Sequence, residues 1–432
     1  MRILRLRLVF VLLLLVTCSA RAAERITDLK PTVILISIDG FRADYLDKIK
    51  TPNLHSIMNR GTRAKYMIPS FPTKTFPNHY TIVTGLYPAH HGIVANTIYD
   101  PEQDAWFKME DRAAVADARW WGGEPIWVTA EKQGVRTAPL TWPGALAREK
   151  GIAPTYGMDW HDVKRPIEPV EKALSLLDLP VSQRPRFLTV YFNLVDDAGH
   201  DFGPSSPELK AAVQKTDDGV GLLLEGLRER GIEDQVDLVA VSDHGMSPIS
   251  PKRVVDLDNY LNLSNTLVVD GSPVLALRPK DGNVQALYER AKKIPHSKAY
   301  LATNTPERWH YRDNPRIAPI IVLADDGWTL AFKEYVQKHP VKNGNHGFDN
   351  NTKNMRAIFF AAGPDFYQTK IRPFPNIDVY PLLCYLLNIS PAPNDGTLDV
   401  FKSVLKQRSQ FEPMHKERAP WQSERQEVAL NH

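Results

Sequence analysis

Cysteine is nearly missing from this chain: its 432 residues contain two, Cys18 and Cys384. That excludes a disulfide framework, because Cys18 falls in the leader described below and Cys384 is then left alone. Cys384 sits in the apolar stretch Tyr380–Leu387, where a thiol reads as core filler and not as a nucleophile. Net charge is lacking as well. The formal value is +3, but residues 1–22 hold four arginines (Arg2, Arg5, Arg7, Arg21) and no acid, and without them 49 basic residues face 50 acidic ones. No basic field for a nucleic-acid polymer remains, so no such partner is expected. Internal repeats and low-complexity tracts are also missing. So is an apolar run that crosses a bilayer comfortably, which takes roughly 20 residues. What is left has 43% hydrophobic and 24% charged residues, an ordinary globular composition with ample length for a large core.

Residues 1–22 follow the plan of a signal peptide. Arg2, Arg5 and Arg7 precede the uncharged run Leu8–Val16, and Ala20-Arg-Ala22 supplies small residues for cleavage just after Ala22. The expectation is export to the periplasm or secretion, with no stable membrane span after cleavage. Lipoprotein anchoring through Cys18 is the weaker alternative, since Thr17 is a poor residue before a modified cysteine. From about Lys406 the chain is rich in charge, Gln and Pro, and a flexible polar tail is expected over 406–432.

Thr32-Val-Ile-Leu-Ile-Ser-Ile38 is a continuous β-branched run, the pattern of a central parallel strand buried on both faces. It ends in Asp39-Gly40. Arg186-Phe-Leu-Thr-Val-Tyr-Phe-Asn193 repeats the pattern and leads to Asp196-Asp-Ala-Gly-His200. Val236-Asp-Leu-Val-Ala-Val-Ser242 leads to Asp243-His244. A carboxylate at the carboxyl end of a central strand sits where open α/β sheets place their active sites. One such ending can equally be a helix cap. Three together point to function, because unpaired buried acids are costly. Asp196 and His200 lie four apart, on one side of a helical turn, and Asp with His suits a zinc-type ion.

Pro69-Ser-Phe-Pro-Thr-Lys-Thr-Phe-Pro-Asn-His-Tyr80 reads as a loop ending at Thr75, followed by a helix that Pro77 can open. Thr75 then lies beside unpaired amide groups and the positive end of a helix dipole, which suits an anion. A threonine hydroxyl is a poor nucleophile without a base or metal. Residues Thr97–Trp121 form a polar loop or lid whose Trp106, Phe107, Trp120 and Trp121 either stack on a flat ligand or pin the loop to the core. Helices are expected at Glu168–Leu179, Pro207–Arg230 and Asp378–Leu387. A small α+β insertion is expected at about 251–345, followed by a glycine-rich loop, Lys342-Asn-Gly-Asn-His346-Gly347, with an exposed histidine.

Ile38-Asp39-Gly40-Phe41-Arg42, Thr73-Lys-Thr75-Phe-Pro-Asn-His-Tyr80, Asp196-Asp-Ala-Gly-His200, Ser242-Asp243-His244-Gly245-Met246 and Asn345-His346-Gly347 together resemble the nucleotide pyrophosphatase/phosphodiesterase family of the alkaline phosphatase superfamily. The resemblance runs from about Lys30 to Val400 and looks like the catalytic domain alone, of the bacterial kind. It implies an α/β fold with a mostly parallel central sheet flanked by helices, over residues 23–405. It also implies two Zn2+ per subunit. One would be held by Asp39, Thr75, Asp243 and His244, the other by Asp196, His200 and His346. Thr75 would be the nucleophile, forming a phospho-threonine intermediate that water hydrolyses. The Phe76 amide and the Asn96 side chain would donate to a phosphoryl oxygen. Phe76 and Tyr156 match positions that stack a nucleobase, with Tyr191 at the pocket's edge and Trp121 as a further wall.

By the same resemblance, a loop between Asn96 and Gly123-Glu-Pro-Ile-Trp127 marks members that hydrolyse nucleotides and is missing from those that cleave lysophospholipids. Thr97–Trp121 fills that position. The expected substrates are therefore small-molecule nucleotides, for example ATP split to AMP and pyrophosphate, with little base preference. A phospholipid or choline phosphodiesterase using the same site is the alternative. A sulfatase does not fit, because no cysteine stands at the nucleophile position. A non-catalytic binding protein would be expected to have lost ligands, and all seven match.

Overall fold

The computed structural model describes residues 23–148 and 151–406. The leader at 1–22 and the tail beyond Lys406 lie outside the described residues.

Seven strands form the central sheet: β1 Thr32–Ile38, β2 Thr62–Ala64, β3 Thr137–Ala138, β4 Phe187–Phe192, β5 Val236–Val241, β6 Phe359–Ala362 and β7 Thr369–Ile371. Their order is β7-β2-β6-β5-β1-β4-β3. β1 runs parallel to both β4 and β5, and β3 parallel to β4, whereas β6 is antiparallel to β5 and β2. The continuous apolar run of β1 is explained by burial on both faces: Val33 and Leu35 enter one core, Ile34, Ile36 and Ile38 the other.

Helices cover both faces. On one side α1 (Thr75–Thr84) and α5 (Val379–Leu387) contribute Ile82, Val83, Leu383 and Leu386 to the first core. On the other, α2 (Glu168–Leu177) and α4 (Pro207–Glu229) contribute Val170, Ala173, Val213 and Leu224 to the second. α3, Leu194–Phe202, follows β4 directly. Cys384 is fully buried in the first core, as an apolar filler should be.

The expected insertion contains a separate antiparallel sheet in the order Thr266–Asp270, Val274–Pro279, Ile320–Ala324, Ser297–Leu301. The helix Val284–Ala291 supplies Leu287 to its core. A short parallel pair, Val254–Asp256 with Thr329–Ala331, links the ends of this unit.

Some local expectations change. α1 starts at Thr75 itself, with Lys74 as its cap, so Pro77 is the third helical residue. That position is free for proline because the first four helical N–H groups have no intrahelical partner. The strand near Arg136–Trp142 shrinks to Thr137–Ala138, and the chain then turns through Thr141 at φ 57°. The segment Thr97–Trp121 is ordered as a hairpin (Thr97–Asp100 with Ala105–Lys108), a short helix at Arg112–Ala116 and a turn at Ala118–Trp120. Three of its five aromatics, Phe107, Trp120 and Trp121, are buried, so they pin the segment to the core.

One buried acid joins two helices on the sheet's outer face. Asp217 of α4 accepts hydrogen bonds from the backbone N–H of Leu54 (2.8 Å) and Asn53 (3.1 Å) and from the Asn53 side chain (3.0 Å), capping the helix Pro52–Arg60. Asp217→Ala leaves those donors without a partner and is expected to cost about 2 kcal/mol of stability, read from urea unfolding.

Candidate active site

The carboxyl ends of β1, β4 and β5 lie side by side, so the three acids that follow them converge. The Asp39 N–H donates to the Phe192 carbonyl at the end of β4, and the Gly40 N–H donates to Asp243 Oδ1 at 3.1 Å. Gly40 has φ 66°, a left-handed conformation that glycine adopts without strain. A Cβ placed there would stand 2.8 Å from Asp196 Oδ1. Asp39, Asp196 and Asp243 are thus packed around one glycine.

Three histidines close the site, each with its Nδ1 on a backbone carbonyl: His200 on Gly344, His346 on Thr73 and His244 on Gly245, all at 2.9 Å. A carbonyl only accepts, so Nδ1 carries the hydrogen and the neutral ring offers its Nε2 lone pair. Those Nε2 atoms face the carboxylates. His244 Nε2 lies 2.9 Å from Asp243 Oδ2 and 3.5 Å from Asp39 Oδ1; His200 Nε2 lies 3.4 Å and His346 Nε2 3.8 Å from Asp196. The His244 and His346 rings stack at 3.6 Å and join the two groups.

His346 is buried, contrary to the exposure expected of a glycine-rich loop. Its loop docks on the loop that leads into Thr75: the Gly347 N–H donates to Thr73 Oγ1 at 3.0 Å, and the Thr73 hydroxyl donates to the Phe348 carbonyl at 2.9 Å.

The site holds more negative charge than its neighbours balance. Asp39 Oδ1, Asp196 Oδ1 and Asp243 Oδ2 are buried with no hydrogen-bond partner among the described residues. The nearby cations are already engaged, Lys74 by Asp270 and Arg42 by Asp44. Burial first, then repulsion from Asp243 and Asp196, pushes the Asp39 carboxyl well above the usual carboxylate range. Burial, with His244 and His200 beside it, pushes the His346 ring well below the usual range, so it stays neutral. Orphaned carboxyl oxygens facing imidazole Nε2 atoms are the donor set that a divalent cation takes up by displacing protons. Among the described residues, three overlapping groups have ligand atoms within 4.8 Å of one another: Asp196, His200 and His346; Asp39, Asp196 and His244; and Asp39, His79 and Asp243.

Thr75 is the first residue of α1; its Oγ1 lies 3.3 Å from His244 Nε2, and it lines one cavity with Asp39 and Asp196. The Phe76 N–H donates to Asn96 Oδ1 at 3.0 Å. That amide hydrogen is therefore engaged within the site, and the Asn96 side-chain Nδ2, which has no partner among the described residues, is the remaining donor. Tyr191 donates to Asp39 Oδ2 at 2.5 Å and lines the cavity, as its expected edge position requires.

That cavity, about 340 Å³, runs outward from Asp39, Thr75 and Asp196 along Phe76, Met109, Thr141, Pro143 and Trp160. Two expected lining residues lie elsewhere. Trp121 is buried behind Phe76, ring centres 6.1 Å apart, with its indole N–H on the Val115 carbonyl. Tyr156 packs against the core on the far face of the sheet, its hydroxyl on the Gln183 carbonyl, because its backbone N–H is tied to Thr137 of β3. Trp160, four residues on, lines the cavity in its place.

His79 was not among the expected site residues. Its Nδ1 lies 2.9 Å from the Thr75 carbonyl and 3.4 Å from Asp243, with the Ser37 hydroxyl 2.8 Å from Nε2. Its position one helical turn after Thr75 was the available signal. His91 and His90 stay apart from the site, on Thr81 and Asp395.

An alkaline phosphatase-like α/β sheet with a threonine at a helix start and overlapping Asp/His groups beside it defines a metal-dependent hydrolase of phosphate esters. Comparison with known proteins places it further. Residues 33–349 match the family described as type I phosphodiesterase / nucleotide pyrophosphatase, and the chain belongs to that family. It is similar to an uncharacterized pyrophosphatase/phosphodiesterase of Schizosaccharomyces pombe, 41% identical over 387 residues, 85% of this chain and 79% of that protein. It is also 41% identical over 390 residues to venom phosphodiesterase 2 of Crotalus adamanteus, covering 87% of this chain and 47% of that protein. The chain thus spans about half the length of this venom relative. Among solved structures, murine ectonucleotide pyrophosphatase/phosphodiesterase 5, an inactive threonine-to-alanine variant in complex with AMP, superposes with a TM-score of 0.83 at 35% identity, covering 87% of this chain and all of that one.

Because Gly40 packs against Asp196 and Asp243, Gly40→Ala is expected to displace Asp196 and to lower the divalent metal retained per chain well below the wild-type value, while the protein stays folded. Metal analysis after dialysis, with circular dichroism as the folding control, checks this.

Proposed function

We propose that the chain is an exported two-zinc nucleotide pyrophosphatase/phosphodiesterase that cleaves nucleotide phosphodiester and pyrophosphate bonds through a phospho-threonine intermediate. The observation that carries this reading is Thr75 Oγ1 at a helix start, 3.3 Å from His244 Nε2 and at the inner end of an aromatic-walled cavity. Asp39, Asp243 and His244, with Thr75, would hold one ion, and Asp196, His200 and His346 the other. Bound zinc would supply the positive charge that lowers the Thr75 hydroxyl's pKa and offsets charge developing on the phosphoryl group.

The chain's own residues do the rest. The α1 dipole favours an oxyanion at Thr75, and Asn96 Nδ2 is available to a phosphoryl oxygen. Phe76 and Trp160, in place of the Phe76 and Tyr156 pair, flank the slot that a nucleobase would enter, and stacking tolerates any base. Thr75 attacks phosphorus, the leaving group departs with its bridging oxygen, and water then releases the nucleoside 5′-monophosphate.

The ordered hairpin at Thr97–Trp121 supports nucleotides over lipids, since Met109 from this segment and Phe76, backed by its Phe107 and Trp121, narrow the cavity. A phosphomonoesterase is disfavoured because Lys74, the cation beside the nucleophile, is engaged by Asp270. Export rests on the leader pattern in residues 1–22.

The zinc-loaded protein is expected to cleave the p-nitrophenyl ester of thymidine 5′-monophosphate and ATP, with p-nitrophenyl phosphate and lysophosphatidylcholine far slower. Preference for the lipid would overturn the nucleotide reading. Thr75→Ala is expected to lower turnover at least about 10³-fold, and retained turnover would exclude the covalent route.

A further inference from the structure

The cavity has two walls that come from segments far apart in sequence, and a single arginine joins them. One wall is Phe76, supported from behind by Phe107 and Trp121 of the Thr97–Trp121 segment, with Met109 of that segment also facing the cavity. The other is Trp160, carried on the one-turn helix Trp160–Asp162. Arg112 opens the short helix three residues after Met109 and reaches across. Its Nε lies 2.6 Å from Asp159 Oδ2, and its two terminal nitrogens lie 3.3 and 3.0 Å from the oxygens of Asp162.

The two ion pairs are unequal. Asp162 and Arg112 are both more than half exposed, so their pairing is screened by water and contributes little. The Asp159 side chain is only 4% exposed. Asp159 also builds the turn that presents Trp160: its Oδ1 accepts from the His161 N–H at 3.0 Å and faces His161 Nδ1 at 2.9 Å. Its Oδ2 has no hydrogen-bond partner, so the Arg112 charge is what compensates it. Without that charge, a nearly buried carboxylate regains water by swinging outward, and Trp160, the next residue, moves with it.

We propose that Arg112 is a positioning residue for the nucleobase slot: by neutralising Asp159 it holds the Trp160 turn against the Thr97–Trp121 segment and sets the gap opposite Phe76. This rests on the nucleotide reading above. Arg112 touches neither the reacting phosphate nor Thr75, so its loss affects substrates that carry a base and leaves base-free diesters alone.

The test compares the full zinc-loaded chain on two substrates, the p-nitrophenyl ester of thymidine 5′-monophosphate and methyl p-nitrophenyl phosphate, which has no base. Arg112→Ala is expected to raise KM for the nucleotide ester about five- to ten-fold with kcat within about two-fold, and to leave the base-free diester unchanged. Arg112→Lys, which keeps the charge, is expected to restore most of the nucleotide KM. Asp162→Asn is expected to change it less than about two-fold. Should Arg112→Ala fail to fold, Arg112→Gln keeps the stem, removes the charge and carries the same expectation. Equal losses on both substrates, or an unchanged nucleotide KM, would overturn the positioning role. A wild-type enzyme with no preference for the nucleotide ester would overturn the nucleotide reading and the inference with it.

Discussion

Three carboxylates with too few cations around them set the terms for the rest of this structure. Asp39, Asp196 and Asp243 stand around Gly40 at the ends of three adjacent strands, and one oxygen of each is buried without a partner. A fold does not hold such a cluster for stability, since uncompensated buried charge costs several kcal/mol. Side chains nearby do little to relieve it. Lys74 and Arg42 are committed to Asp270 and Asp44, and His200, His244 and His346 have their ring hydrogens fixed on carbonyls. Divalent cations resolve the conflict, and the residue best placed to use them is Thr75.

The remaining architecture keeps that cluster rigid and gives it a shape. The loop carrying His346 is clamped to Thr73, two residues before Thr75, which ties the Asp196, His200 and His346 group to the start of α1. Lys74, between them, is fastened to the inserted sheet through Asp270. The hairpin segment supports Phe76 from behind and reaches the opposite wall through Arg112. Chemistry is therefore set by the central sheet, and the width of the slot by the hairpin segment and the Trp160 turn.

Much of this was legible in the sequence, for physical reasons. β1, β4 and β5 are buried on both faces, so each reads as an unbroken apolar run, and the polar residue that ends each run marks the sheet's carboxyl edge. Asp39, Asp243 and His244 follow directly, and the four-residue spacing of Asp196 and His200 survives in α3. What failed was decided by contacts distant in sequence. His346 sits in a stretch of Asn and Gly that reads as solvent-exposed, and only its docking on Thr73 buries it. Tyr156 and Trp160 share an aperiodic segment with no local signal of facing; pairing of Tyr156 with Thr137 sends one ring to the far core and leaves the other in the cavity. The buried Phe107 and Trp121 could have been ligand-stacking or core-packing residues by composition alone; the hairpin register turns Phe107 inward, and the Trp121 indole is held on the Val115 carbonyl.

The most direct measurement is anomalous X-ray scattering at the zinc edge from crystals of the zinc-loaded protein. Two peaks are predicted, one among Asp39, Asp243, His244 and the Thr75 hydroxyl, the other among Asp196, His200 and His346. A single peak, none, or an ion held by His79 in place of His244 would contradict the account that unsatisfied carboxylates are here to carry a pair of metals beside the nucleophile.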